Sequence, residues 1–312
     1  MNDLKSLDSD YVKPYLTVLN FFRFTWIDIF DERFTFLKTK HSYLFMILLH
    51  VVTTIAHWAF LVEAARSGLD LLDVVIDLSY AVFIISGCLL YLHFLYSKKE
   101  IKSFVLSLGK EWRDDETLSP DLAALRRKKI KSLDRFNYVF FTGTSIFVHI
   151  YMLIPITSVC MKKFVFQSEV EYILPFRLIA PFNYKNCFIL YVLIYGAVYI
   201  ISNLTYLING SILLLTVCIF HLRIQFDLLQ DEFRDIFNSR NDINMEDKMK
   251  QAIRRHSRLL DLTRELSGAF GAIYAVHLVF LSGVICFYCV TAMVCLLVCL
   301  FFLLLYRNGG MN

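Results

Sequence analysis

Tyr191, Tyr195, Tyr199 and Asn203 recur at every fourth position within one apolar stretch. In a helix that spacing lines a single face. Tyrosine joins a flat ring, which packs on apolar matter, to a hydroxyl that hydrogen-bonds. Such a face can wall a pocket for small, mostly apolar molecules. The same residues also read as an interfacial aromatic belt with ordinary helix packing, and spacing alone leaves both readings open. Tyr80 and Phe83 lie in an earlier apolar stretch; Phe147, His149 and Tyr151 lie in a third, beside Met152. His149 reads either as a ligand contact or as a satisfied packing residue. The candidate ligand-binding residues are therefore Tyr80, Phe83, Phe147, His149, Tyr151, Tyr191, Tyr195 and Tyr199.

Other chemistry is poorly served. Cys286 and Cys289 have the spacing of a zinc or redox pair, but no second ligand pair or suitable His accompanies them. They read as small packing residues, and neither a metal nor a cofactor is expected. Asn203-Leu204-Thr205 and Asn209-Gly210-Ser211 match the glycosylation acceptor pattern, yet both sit inside an apolar stretch and read as unused. No HExxH, P-loop, Gly-rich nucleotide turn or nucleophile elbow occurs, so an enzyme is not expected. The paired intramembrane charges and matched Gly/Pro-broken helices of an ion-coupled transporter are also missing. No basic-aromatic pattern points to nucleic acid.

The elements that must position these rings are long apolar stretches at residues 42–62, 71–97, 136–160, 187–222 and 270–306. Each can cross a hydrocarbon core, which takes roughly 20 residues at ~1.5 Å each. A chain that is 57% hydrophobic and only 19% charged fits one membrane domain better than a soluble one. The segments between stretches alternate in charge. Three carry 26 of the 32 Lys and Arg, the two between them carry five, and Arg307 follows the last stretch. The positive-inside rule then puts the N-terminus in the cytoplasm, with basic residues meeting anionic lipid. Residues 1–10 are polar and acidic, without a signal-peptide core. Asp134-Arg135-Phe136 resembles a motif of G-protein-coupled receptors, but here it precedes a span that starts inside, so it reads as chance. Asp73 and Asp77 begin the second stretch on the outer side, facing water or drawing cations. Cys160 and Cys187 flank one outer loop, where a disulfide is permitted but sequence does not set the distance.

The expected fold class is all-α: a polytopic helical membrane protein of about six spans, with long inward helix extensions. Residues 1–41 form a cytoplasmic segment with an amphipathic helix rich in aromatics. Residues 42–312 form the transmembrane domain, with cytoplasmic extensions at 98–135 and 222–268. Leu222, Phe226, Leu229, Phe233 and Ile236 recur at helical spacing beyond the fourth stretch. Met249, Ile253, Leu260 and Phe270 form a second stripe leading into the fifth. Two helices packing together inside are expected from them. The last stretch, at 37 residues, yields two spans if it turns near Tyr288–Thr291 and one if it does not.

Three segments carry a family resemblance. Ile173-Leu174-Pro175-Phe176-Arg177-Leu178-Ile179-Ala180-Pro181-Phe182-Asn183, followed by a tyrosine-rich span, resembles the second outer loop of insect odorant receptors. Gln225-Phe226-Asp227-Leu228-Leu229 resembles their inner "QF-x-x-L" segment. Arg255-His256-Ser257-Arg258-Leu259-Leu260, with Glu265 and Phe270, resembles their "H-x-x-I/L…E…F" segment. The resemblance covers roughly residues 21–286. It implies a receptor subunit in the plasma membrane of olfactory sensory neurons. Such a subunit binds a small volatile ligand among its second, third, fourth and sixth helices. It gates cation flow as a hetero-oligomer with an odorant receptor co-receptor, in contact with membrane lipid. The family has seven spans, and its final pore-lining helix has no counterpart before Asn312. The expected alternatives are a truncated nonconducting subunit or a membrane carrier for a small apolar solute.

Overall fold

The computed structural model describes residues 7–25, 36–67, 71–113, 118–175, 187–238 and 244–309. They form α1 (Ser9–Phe24), α2 (Phe36–Ser67), α3 (Leu71–Lys110), α4 (Pro120–Cys160, continued by one π-helical turn, Met161–Val165), α5 (Phe188–Ser202), α6 (Leu204–Asn238) and α7 (Met245–Gly309). No strand occurs among the described residues. The fold is all-helical, as the apolar periodicity predicts.

Local chemistry sets the helix ends. The Asp8 carboxylate accepts from the backbone N–H of Asp10 and Tyr11, at 2.7 and 3.2 Å, and so caps α1. Ser119 precedes Pro120, the first residue of α4, where the missing N–H of proline costs nothing. After the π-helical turn, Gln167 takes a left-handed conformation (φ 49°) and leaves the helical path.

Among the described residues four helical stretches, with α5 and α6 together as one, can cross a membrane by length and composition, or five if the bent pair Leu78–Phe94 and Tyr96–Lys110 counts as one span. The expected six rested on a turn near 288–291. The backbone instead runs as one helix of 65 residues from Met245 to Gly309. The reason is compositional: no Gly or Pro occurs between Gly283 and Gly309, so a hairpin there lacks turn residues. The long fourth stretch is likewise two helices, interrupted at Asn203, whose carbonyl accepts from Tyr206 N–H.

The chain divides into two compact units. The first comprises residues 1–44, 90–150 and 202–273. Its core is α1 laid on α6. Tyr11, Tyr15, Val18, Phe21 and Phe22 turn one buried face inward, at the spacing of a helical stripe. Phe21 meets Phe141 edge-on at 4.8 Å, and Phe22 meets Phe94 at 5.0 Å. The Tyr11 hydroxyl donates to the Val105 carbonyl at 2.6 Å. The Tyr15 hydroxyl lies 3.3 Å from His221 Nδ1. Burial holds both phenols well above their ordinary range, so they stay neutral. Residues 26–31 of the expected N-terminal amphipathic helix lie outside the described residues.

In the same unit α6 and α7 meet as expected. The α6 stripe is buried at Leu222, Leu229 and Ile236 and half-buried at Phe226 and Phe233. The α7 stripe keeps Phe270 buried and Met249 half-buried but shifts register between them. Ala252, Leu259, Leu262, Leu266, Ala269, Phe270 and Ile273 are buried, while Ile253 and Leu260 are exposed. Ala252 is fully buried, and Arg255, three positions on, reaches Glu232 of α6 at 3.0 Å. That ion pair turns the face carrying Ala252, Arg255 and Leu259 inward and leaves Ile253 and Leu260 outside.

Arg126 belongs to the basic run 126–129, yet it is only 2% exposed. Its guanidinium donates to the Arg113 carbonyl and lies 5.1 Å from the Trp112 ring centroid. Lys129 of the same run pairs with Asp227 at 2.6 Å. Only Arg127 and Lys128 are exposed. Arg126→Ala is expected to cost about 2 kcal/mol, the scale of a charge-assisted hydrogen bond. Thermal unfolding of the detergent-solubilised protein checks this. A melting temperature equal to that of Arg127→Ala would show that the buried guanidinium is not structural.

Candidate functional site

The second unit comprises residues 45–89, 151–201 and 274–312. It holds Tyr80, Phe83, Tyr151, Tyr191, Tyr195 and Tyr199. Tyr191 and Tyr195, one turn apart on α5, are buried with ring centroids 5.6 Å apart. They form one apolar cluster with Val159 of α4 and Leu174 of the following loop. Tyr172 adds a ring 5.0 Å from Tyr191, and Phe188 packs beside both. Sequence reasoning missed Tyr172 and Phe188. Phe188 lies three positions before Tyr191 on the same face, so its spacing was a usable signal.

The hydroxyls are spent on backbone. Tyr191 donates to the Ile173 carbonyl at 3.1 Å, and Tyr195 donates to the Met152 carbonyl. Tyr151 donates to the Pro175 carbonyl at 3.1 Å. With its single proton engaged there, Tyr151 must accept from Tyr80 at 2.6 Å. The tyrosines therefore tie the segment 173–175 to α3, α4 and α5. Lys163 reinforces the same segment. Its ammonium donates to the Tyr172 hydroxyl at 2.8 Å and sits 4.4 Å from the Phe188 ring centroid. Beside this, Glu169, Val170, Glu171 and Tyr172 line an open cavity of about 420 Å³.

The remaining candidates are placed differently. Phe83 and Tyr199 are half-buried. His149 belongs to the first unit, where its Nδ1 lies 2.7 Å from the Ser145 carbonyl and 3.2 Å from the Tyr206 hydroxyl. That geometry fits a satisfied packing histidine. Phe147, also in the first unit, is 69% exposed on α4. Cys160 and Cys187 carry free thiols. The side chains of Asp73 and Asp77, and residues 176–183 of the loop motif, lie outside the described residues. No group of three metal-ligating side chains occurs among the described residues.

The family model described as 7tm Odorant receptor matches residues 70–306. The chain belongs to the odorant receptor family. It is a multi-pass membrane protein of that family, whose members are receptors. A solved structure with the same fold is the insect olfactory receptor OR5 from Machilis hrabei. The TM-score is 0.58 at 13% identity, over 83% of this chain and 64% of that one. This odorant receptor family member thus spans a little under two thirds of that receptor chain. No curated protein matches it in sequence.

Proposed function

We propose that this chain is an odorant receptor subunit. It binds small, mostly apolar volatile molecules and gates cation flow together with a co-receptor, in the plasma membrane of olfactory sensory neurons. The observation that supports the reading is the family match over residues 70–306. In this reading the basic segments face the cytoplasm and the tyrosine cluster lies in the outer half of the bundle. Tyr191, Tyr195, Tyr151 and Tyr80, with their hydroxyls engaged, are the fixed wall. Phe83 and Tyr199 are half-buried and are the members best placed to touch a ligand.

The test is whole-cell current from cells expressing this chain, with and without the co-receptor, over a panel of volatiles. Current is expected only with both. Phe83→Ala and Tyr199→Ala are each expected to raise the half-maximal concentration about tenfold, equal to about 1.4 kcal/mol of binding. Surface biotinylation should be unchanged. Responses unaltered by both variants would place the pocket elsewhere. Uptake of labelled volatile without co-receptor or current would identify a carrier instead.

A further inference from the structure

The segment Asp134-Arg135-Phe136 acquires a meaning from its surroundings that its spelling lacks. Asp134 is turned toward α1: its carboxylate accepts from the Thr17 hydroxyl at 3.3 Å and pairs with Lys13 at 3.5 Å. Arg135 points elsewhere. On α4, positions 128, 131, 135, 139, 142, 146 and 150 follow one another at steps of three and four, so they share one helix face. Lys128, Lys131 and Arg135 on that face are exposed. So are Val139, Ile146 and Ile150, at 61%, 55% and 54%. Among the described ion pairs none uses Lys128, Lys131 or Arg135, whereas Lys129 on the other flank is engaged with Asp227. The nearest exposed carboxylate on the face, Asp121, is about 10 Å back along the axis from Lys128.

We infer that this face is a binding site for a polyanionic phospholipid, one molecule lying along α4. Three cations within two helical turns match a phosphorylated headgroup in charge. The apolar stripe begins one turn later, where acyl chains must start. From Arg135 to Ile146 is about 16 Å at 1.5 Å per residue. One leaflet of hydrocarbon is about 15 Å thick, half of ~30 Å. Basic end and apolar length therefore fit a single lipid in register. The span containing α4 is also little enclosed by protein among the described residues, with 11% of its most apolar window buried. An occupant of this face must therefore be lipid-compatible. The lipid specificity asked for is an anionic headgroup of more than one charge, since a single phosphate would meet only one or two of the three cations. This inference needs α4 to span a membrane but does not need odorant binding or gating.

The experiment is native mass spectrometry of the purified full chain, delipidated in detergent and offered phosphatidylinositol bisphosphate and phosphatidylcholine in equal amounts. The expected result is one retained bisphosphate lipid per chain, preferred at least tenfold. Each basic side chain at an anionic lipid surface is worth roughly fivefold in affinity. The triple variant K128Q/K131Q/R135Q should therefore lose on the order of a hundredfold. Lys131→Gln, a single exposed change, should lose a few fold and guards against a misfolded triple variant. Lys250→Gln, whose partner is the exposed Glu246 on α7, should change nothing. Equal retention of both lipids by the wild type would overturn the proposal, as would undiminished retention by the triple variant. Soluble inositol trisphosphate binding as tightly as the lipid would also overturn it, because the apolar stripe would then contribute nothing.

Discussion

Gly210→Leu is expected to abolish surface expression of the chain. A Cβ at position 210 would fall 2.8 Å from the Cβ of Phe21 and 3.5 Å from both Phe21 Cγ and Phe22 Cε2. The first of these atoms is bound directly to the α1 backbone, so rotation of a side chain cannot relieve it. The whole of α1 would have to move off α6. That face of α1 carries Tyr11, Tyr15, Val18, Phe21 and Phe22, all fully buried, and each large side chain contributes about 1.5–3 kcal/mol by burial. Even Gly210→Ala sets two effects against each other. Alanine gains up to about 1 kcal/mol of helix propensity over glycine. Overpacking costs about 1–3 kcal/mol, so the net change is a loss. Gly196→Leu is the control, because nothing lies within 4 Å of a Cβ there. Fluorescence-detected size-exclusion chromatography of tagged variants reads both. A monodisperse Gly210→Leu peak at wild-type level would show that α1 is not held as described.

That contact also marks where sequence reading ends. The helices were legible because long apolar stretches and helical stripes carry them. The tyrosines at 191 and 195 were legible as one face because four-residue spacing places them so. What they touch was not. The Tyr191 and Tyr195 hydroxyls end on the Ile173 and Met152 carbonyls, and backbone partners leave no mark in side-chain spacing. Removing the Tyr195 ring therefore tests the fold as much as a ligand site, which shifts the functional test to Phe83 and Tyr199. The α7 stripe was misread at Ile253 and Leu260 for a related reason. The ion pair of Arg255 with Glu232 fixes which face turns inward, and a partner on another helix leaves no mark in apolar spacing. The last stretch was open to one span or two, and the helix runs on through 288–291 because no Gly or Pro stands there to turn it.

Glu232→Ala is the second change with a large expected effect. Glu232 on α6 is held by two guanidiniums: Arg255 of α7 at 3.0 Å and Arg113, which follows α3. All three side chains are mostly buried, at 21%, 24% and 15% exposure. Removing the carboxylate leaves two cations facing one another with their charge uncompensated. Breaking a buried ionic group in this way costs about 3–5 kcal/mol. A cavity of about 330 Å³ borders the triad, lined by Arg113, Glu232, Leu228 and Lys248 among others. Water entering it can solvate the freed guanidiniums, so the loss should fall at or just below the lower end, about 2–3 kcal/mol. Thermal unfolding in detergent measures it. Arg234→Ala gives the scale for an exposed pair. Its partner Asp231 is one turn away on the same helix, and such pairs contribute roughly 0.5 kcal/mol or less. The decisive variant replaces all three residues of the triad with methionine. If the carboxylate stabilises chiefly by neutralising its neighbours, that variant should recover most of the loss, since well-packed apolar side chains substitute for buried ionic triads. If it remains as unstable as Glu232→Ala, the triad supplies geometry that packing cannot replace. The α6–α7 contact would then depend on ionic hydrogen bonds rather than on its apolar stripes.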